Sequence, residues 1–217
     1  MTTPRAGALC GAAAALATTL TTACAQDGAQ AVALFDGASL DGWTPVNAAP
    51  ETFTIADGAL RVGGGEGWLR ADGTYSDFRL AAEFRFLTDD ADSGIFVRVA
   101  DDGGEFIRGW PNEAYQVQLR NPLGTSPFPP VGGLFRHGMP QGETVFDSAD
   151  AARLSAGTGA WQTLEIEAVG ERLSVRLNDA LLSEATGIAN ASGRIGIQAE
   201  VGALEFRAIT IETELSD

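Results

Sequence analysis

Lysine is absent from the sequence, so all 14 basic residues are arginine. They are outnumbered by 29 acidic residues, which leaves a formal net charge of −15. Proteins that bind nucleic acid need an excess of basic side chains to displace counterions from the phosphate backbone, and anionic membranes attract the same side chains. The composition therefore excludes nucleic acid as a partner and argues against direct adsorption to a membrane surface.

Cysteine and histidine are scarce as well. Cys10 and Cys24 both lie in the N-terminal segment, and His137 is the one histidine of the chain. The remainder of the chain therefore has no disulfide, no thiolate nucleophile and no site built from several cysteines or histidines. We expect neither a metal site nor a cofactor. The acidic turns at 89–92 and 101–102 lack a complete calcium-loop pattern. Their carboxylates are nevertheless oxygen ligands of the kind that calcium prefers, so binding of a divalent metal stays open as an alternative.

The first 25 residues have the pattern of a secretory signal peptide, with Arg5 at the start, an apolar stretch over 6–20 and small residues after it. This stretch is too short and too rich in alanine and threonine for a membrane-spanning helix. Two kinds of processing stay open. The residues before Cys24 resemble the end of a bacterial lipobox, which would make Cys24 a lipidation site, whereas ordinary cleavage would follow Ala25. Both predict a protein outside the cytoplasm, either periplasmic or lipid-anchored to the bacterial envelope, which would contact a membrane only through that anchor.

Apolar and polar residues alternate from residue 32 onward, which is the pattern of half-buried β-strands. The segment 78–86, for example, places aliphatic and aromatic residues on one face and charged residues, Glu83 among them, on the other. Asp-Gly and Asn-Asp turn signals separate such runs, and only 147–154 has helical character. We therefore predict a short linker at 26–31 and one all-β domain at 32–213, a sandwich or barrel of antiparallel strands.

Two of these predicted strands carry polar residues at outward positions. The alternation places Phe96 and Arg98 outward on one strand and Gln116 and Gln118 outward on the next. Neither strand has two carboxylates close together, which a conventional glycosidase would use to flank the scissile bond. The pattern thus disfavours that class of enzyme.

A series of short motifs, in a fixed order, resembles the 3-keto-disaccharide hydrolase domain family over residues 32–211. The motifs that carry the resemblance are Leu34-Phe-Asp-Gly-Ala-Ser-Leu-Asp-Gly-Trp43, Gly67-Trp-Leu-Arg70, Asp92-Ser-Gly-Ile-Phe-Val-Arg98, Tyr115-Gln-Val-Gln-Leu-Arg-Asn121 and Gly193-Arg-Ile-Gly-Ile-Gln198. The resemblance implies a concanavalin A-like jelly-roll β-sandwich of two antiparallel sheets. It also implies a hydrolase whose partner is an oxidised (3-keto) sugar or another carbohydrate.

The chemistry implied by this family starts from the ketone at carbon 3, which acidifies the hydrogen on carbon 2. Loss of that proton allows elimination of the group on carbon 1, and water then adds to the unsaturated sugar. Such a reaction needs a base near carbon 2, a donor or cation at the carbon 3 oxygen and a proton source for the leaving group.

The resemblance suggests residues for these roles. We expect Glu83 to act as the general base or as an orienting residue, Arg98 to stabilise the oxyanion and His137, on a predicted loop, to act as an acid. The expected substrate-binding residues are Trp110 for stacking on the sugar, Gln116, Gln118 and Gln198 for hydroxyl groups, and Arg136 for a carbonyl or carboxylate.

Alternatives to these roles stay open. Glu83 and Arg98 are equally typical of a surface ion pair between strands, and a lone histidine on a loop is often only solvated. Many relatives have Glu where this chain has Gln116, so the role of that carboxylate does not transfer. A non-catalytic carbohydrate-binding module with the same fold is therefore the second interpretation.

Overall fold

A computed structural model describes Met1 and residues 30–100, 107–140 and 142–215. The predicted signal peptide, its Cys24 and most of the predicted linker lie outside the described residues. Within the described residues, no helix is both long and apolar enough to span a membrane.

The regular secondary structure of the described residues is almost entirely β-strand, with one short helix, α1 (Ser148–Leu154), and one 3-10 turn (Ile107–Gly109). The strands are β1 (Val32–Phe35), β2 (Trp43–Val46), β3 (Phe53–Ala56), β4 (Ala59–Val62), β5 (Trp68–Tyr75), β6 (Phe78–Phe86), β7 (Asp92–Val99), β8 (Ala114–Arg120), β9 (Leu134–His137), β10 (Thr144–Phe146), β11 (Gln162–Val169), β12 (Arg172–Leu177), β13 (Ala180–Thr186), β14 (Gly193–Gln198) and β15 (Leu204–Glu212).

These strands form two antiparallel sheets. The larger sheet has the order β10-β13-β12-β11-β6-β15-β4-β3, with β1 also paired to β15, and the smaller sheet has the order β2-β5-β14-β7-β8-β9. In β6 every second residue from Phe78 to Phe86 is buried, as the alternation predicts. The prediction of an all-β sandwich of two antiparallel sheets is thus confirmed.

The smaller sheet is covered on both of its faces, which the sequence does not predict. Its inner face packs into the main core through residues such as Ile95, Val117 and Leu119. A second apolar cluster lies on the outer face, where Trp68, Phe96, Val99, Trp110 and Ala114 pack together. Phe96 was predicted to face solvent but is fully buried, because the two tryptophans cover it.

Two glycines make room for large side chains on this outer face. A Cβ atom at Gly94 would lie 2.6 Å from Nε2 of Gln116, and one at Gly196 would lie 2.2 Å from the ring of Trp68. Since real Cβ atoms do not approach other heavy atoms so closely, the glycines allow Gln116 and Trp68 to lie flat across β7 and β14. The polar site described next rests on this arrangement.

Candidate functional site

A solvent-open cavity of about 120 Å³ lies on the outer face of the smaller sheet. Five residues with predicted roles line it, and so do four others. The lining residues are Asp92, Trp110, Gln116, Gln118, Phe128, Phe135, His137, Gln198 and Glu200.

A chain of hydrogen bonds runs across the floor of the cavity. Nε2 of Gln118 donates to Oδ1 of Asp92 at 2.6 Å. Nε2 of Gln116 donates to Oε1 of Gln118 at 2.5 Å and to Oε1 of Gln198 at 3.0 Å. At the far end, Nε2 of His137 lies 2.7 Å from Oε1 of Gln116. All three glutamines are buried, so these bonds form in a medium where unpaired polar groups are costly.

The carboxylate of Asp92 fixes the direction of this chain. An ionised carboxylate only accepts hydrogen bonds, so Gln118 must turn its NH₂ group toward Asp92 and its oxygen toward Gln116. Gln116 must then donate with its NH₂ group, which leaves its oxygen to accept from the Nε2–H of His137. One acidic residue thus determines the orientation of two amides and the tautomer of the imidazole.

The same chain leaves one buried donor without an acceptor. Because Oε1 of Gln198 accepts from Gln116, the Nε2 group of Gln198 is turned away from its neighbour. This Nε2 is buried and has no hydrogen-bond acceptor among the residues that the structure describes. A buried donor without a partner costs about 1–3 kcal/mol, so an oxygen of a bound ligand would be a favourable acceptor.

Two carboxyl groups in the cavity have altered acidity. Burial and the nearby charge of Glu200 raise the pKa of Asp92 to about 7, although Arg120 and Arg108 counteract part of the shift. Burial also raises the pKa of Glu200, against the opposing effect of an ion pair with Arg108 at 3.1 Å. A carboxyl group that titrates near neutral pH can both accept and release a proton at physiological pH.

Arg108 reaches Glu200 from a strained turn. Its φ of 62° is in the left-handed region, which residues other than glycine seldom adopt. Its guanidinium carbon lies 5.7 Å from the ring centre of Trp110. The turn therefore places the guanidinium group of Arg108 between the ring of Trp110 and the carboxylate of Glu200.

His137 differs from its predicted setting. It ends β9 instead of lying on a loop, and it is buried with its ring edge-on to Phe96 and Trp110. Burial lowers its pKa, so the imidazole is neutral at pH 7. The expectation of a solvated loop histidine is wrong, because the aromatic cluster encloses the ring.

Trp110 lines the cavity, but only 8% of its surface is exposed. Its Nε1 donates to the carbonyl of Ala199 at 3.1 Å, which fixes the indole as a wall. Little of the ring is left for stacking on a sugar.

Glu83 does not line this cavity, and the interpretation of Glu83 and Arg98 as an ion pair between neighbouring strands is wrong. Glu83 sits on β6, which belongs to the larger sheet, whereas Arg98 sits on β7 of the smaller one. Both of its carboxylate oxygens accept from Arg207, at 2.7 and 2.9 Å. These hydrogen bonds lower the pKa of Glu83, which makes it a weaker base. Its surroundings are those of a partly exposed cross-strand ion pair.

Arg98 is also outside the cavity, and its predicted outward position is wrong. It is fully buried and adopts a φ of 53° where the pairing of β7 with β14 shifts register. Its guanidinium donates to the carbonyl of Gly170 at 3.0 Å, to the carbonyl of Asn190, and to Asp77 at 3.3 Å. Arg98 thus ties three loops together, because a buried guanidinium needs several acceptors.

Arg136 does not line the cavity either. Its side chain donates to the carbonyl of Gly142 at 3.0 Å and to the hydroxyl of Thr144. It therefore joins β9 to the segment before β10, and it does not face a ligand.

Within the described ranges, no group of three His, Cys, Asp or Glu side chains is arranged so that it could hold a metal ion. Asp92 and Glu200 are the acids that a cation entering the cavity would meet first.

The fold and the cavity together define a lectin-like β-sandwich with a polar site on the face of its smaller sheet. The profile of the 3-keto-alpha-glucoside-1,2-lyase-like domain matches residues 30–212, and the chain belongs to this family. The family that the motifs resemble is thereby confirmed. No curated protein matches the sequence significantly.

Solved structures share the sandwich at low sequence identity. A candidate glycosyl hydrolase from Parabacteroides distasonis ATCC 8503 superposes with a TM-score of 0.65 at 19% identity, covering 85% of this chain and 99% of that one. The carbohydrate binding module CBM66 from Bacillus subtilis gives a TM-score of 0.51 at 16% identity, covering 79% and 95% of the two chains. A Bacillus subtilis protein of unknown function with a galectin-like fold gives 0.55 at 10% identity, covering 80% and 90%. At these identities the likeness establishes the fold alone.

Proposed function

We propose that this protein cleaves glycosides whose glucose ring carries a ketone at carbon 3. Its family, together with glycosyl hydrolase-like and carbohydrate-binding neighbours, supports a carbohydrate-related role. The observation that carries the finer proposal is the free Nε2 donor of Gln198 in the same cavity as Asp92, whose pKa is near 7. A keto-sugar needs one donor at its ketone and one base at the adjacent carbon, and the cavity offers both.

The reaction that we propose begins with Asp92. Its carboxylate removes the proton from carbon 2, and the electron pair of that C–H bond becomes the double bond of an enolate whose charge rests on the carbon 3 oxygen. The Nε2 group of Gln198 donates to that oxygen, where the charge develops. The enolate then expels the group on carbon 1, whose oxygen receives the proton that Asp92 removed from carbon 2. Water adds to carbon 1 and a proton returns to carbon 2, which completes a net hydrolysis.

The remaining polar residues hold these groups in place. Gln118 binds the carboxylate of Asp92, and Gln116 binds the oxygen of Gln198 and so leaves the NH₂ group of Gln198 available as a donor. His137 anchors the oxygen of Gln116. We therefore assign Gln116, Gln118 and His137 to positioning. Glu83, Arg98 and Arg136 have no role in this proposal, because none of them lines the cavity.

A carbohydrate-binding module without activity is the second candidate. The free Gln198 donor favours it equally, since a hydroxyl group of an unoxidised sugar would accept the same hydrogen bond. A conventional glycosidase is the third, because Asp92 and Glu200 do place two carboxyl groups in one cavity.

Two substrates and a binding measurement separate these candidates. The purified domain is incubated with methyl 3-keto-glucoside and with methyl glucoside, and released methanol and sugar are followed by NMR. Release from the keto-glucoside alone supports the proposal, whereas release from methyl glucoside supports a conventional glycosidase. Binding of glucose, trehalose or methyl glucoside without any turnover would support the module.

We further propose that the protein is exported and anchored through Cys24. The variant Cys24→Ser should then move the protein from the membrane fraction to the soluble fraction with its β-sheet circular dichroism unchanged. A wild-type protein that is already soluble and begins at Gln26 would contradict the anchor and support ordinary cleavage after Ala25.

A further inference from the structure

An exposed aromatic ring stands at the rim of the cavity. Phe128 is 59% exposed, although it lines the cavity together with Phe135. The two rings meet edge to face, with 6.3 Å between their centres and an interplanar angle of 70°. Within the described parts of the chain, no other aromatic side chain is as exposed. A ring in this position can pack against a ligand that enters the cavity, because small-molecule sites are lined largely by apolar and aromatic side chains.

The loop that carries Phe128 is held rigidly from below. Arg120 is buried, and its guanidinium donates to the carbonyls of Phe128 at 2.6 Å, Pro129 at 3.2 Å and Gly124 at 3.3 Å. Prolines on both sides of Phe128 further limit the backbone. The ring is therefore presented in a fixed place, and binding to it costs little conformational entropy.

Polarity divides the cavity into two parts. The inner part holds the amides and the carboxyl groups, which suit the hydroxyl groups and the ketone of one sugar ring. The outer part is formed by Phe128 and Phe135, which offer no hydrogen bond but can pack against the flat apolar face of a second ring. The carboxyl groups of Asp92 and Glu200, which line the same cavity, would repel an anionic second ring.

We infer that Phe128 and Phe135 form a subsite for the leaving group, selective for a neutral ring over a small alkyl group. This inference rests on the proposed function, because it takes the inner part as the place of the keto-sugar. It assigns the specificity of the enzyme to a residue that takes no part in the chemistry.

The experiment compares Phe128→Ala with wild type on two substrates, phenyl 3-keto-glucoside and methyl 3-keto-glucoside. The variant should lose about three- to tenfold in kcat/KM on the phenyl substrate, the range expected for loss of one ring contact, and less than twofold on the methyl substrate. Phe128→Tyr keeps the ring and should retain the phenyl activity. Leu123→Ala is the matched control, since Leu123 lies on the same loop and is 61% exposed but does not line the cavity.

Equal losses on both substrates, or no loss on either, would overturn the subsite. So would an equal loss on the phenyl substrate in Leu123→Ala. A third substrate, 3-keto-trehalose, identifies the preferred ring: a loss in Phe128→Ala there supports a sugar leaving group, and a loss with the phenyl substrate alone supports an aromatic one.

Failure of the proposed function would be recognised separately. If wild type cleaves no 3-keto-glucoside, calorimetric titration with phenyl glucoside and methyl glucoside still tests the subsite. Tighter binding of phenyl glucoside that Phe128→Ala removes would support it, and equal affinities for the two glucosides would overturn it.

Discussion

Gln118 and Asp92 are joined by a 2.6 Å hydrogen bond that sets the orientation of the whole polar cavity. Because the carboxylate can only accept, the amides of Gln118 and Gln116 must both point their NH₂ groups in one direction. The consequence reaches Gln198, whose oxygen accepts from Gln116 and whose Nε2 is left without an acceptor among the described residues. The acid that we propose as the base therefore also orients the donor that would stabilise the oxyanion.

The activity should rise with pH through the neutral range. The pKa of Asp92 is raised to about 7, and a general base works only when it is deprotonated. For wild type on a 3-keto-glucoside, kcat/KM should therefore be low at pH 5.5, increase about tenfold per pH unit below 7 and level off above it. A pH profile that is flat between pH 5 and 8 would contradict Asp92 as the base.

Removal of the free donor should impair turnover without impairing the fold. Gln198→Met should lower kcat about 10²-fold, the effect of losing one oxyanion donor. The thermal midpoint should change little, because Nε2 of Gln198 has no acceptor among the described residues and only the bond from Gln116 is lost. Both quantities are measured on the same preparation.

Gln162 provides the matched control for that substitution. It is a buried glutamine whose Nε2 is likewise without an acceptor in the described ranges, but it lies on β11 of the other sheet. Gln162→Met should keep full turnover. An equal loss of turnover in both variants would show that the effect is structural.

We expect Arg98 to stabilise the fold and to take no part in turnover. In Arg98→Met the carbonyl groups of Gly170 and Asn190 lose their buried donor, and we expect the free energy of unfolding to fall by about 2–4 kcal/mol in urea denaturation. Glu83→Gln only loosens a partly exposed pair with Arg207, so its stability and turnover should stay near those of wild type. If Arg98→Met were as stable as wild type but inactive, Arg98 would belong to the site after all.

The fold could be predicted from the sequence because alternation is a local property. The buried positions of β6 and the short helix near 147–154 follow from spacing alone, and the structure agrees with both. The outer face of β7 could not be predicted in the same way. Phe96 is buried there by Trp68 and Trp110, which come from distant parts of the chain.

The candidate site could be predicted only in part, for a related reason. Gln116 and Gln118 share a face with Gln198 because their strands, β8 and β14, lie on either side of β7 in one sheet. Glu83 has the same local pattern but lies on a strand of the other sheet, and alternation alone does not reveal to which sheet a strand belongs.

Asp92 was missed as a site residue because it follows other acids and resembles a solvated turn. Its backbone in fact pairs with Val201, which brings it into the sheet beside Gln118. Burial, which the sequence does not display, then shifts its pKa. The sequence does contain one signal for Asp92, because this residue begins the family motif that continues through Gly94 to Arg98.

Deuterium incorporation at carbon 2 tests the central claim most directly. Methyl 3-keto-glucoside is incubated in D₂O with wild type, with Asp92→Asn and with Asp90→Asn, an exposed acid two residues away that does not line the cavity. We predict that wild type and Asp90→Asn release 3-keto-glucose with deuterium at carbon 2, faster than exchange without enzyme, and that Asp92→Asn is at least 10²-fold slower. Product that keeps its original hydrogen at carbon 2, or an Asp92→Asn variant as fast as wild type, would contradict the account.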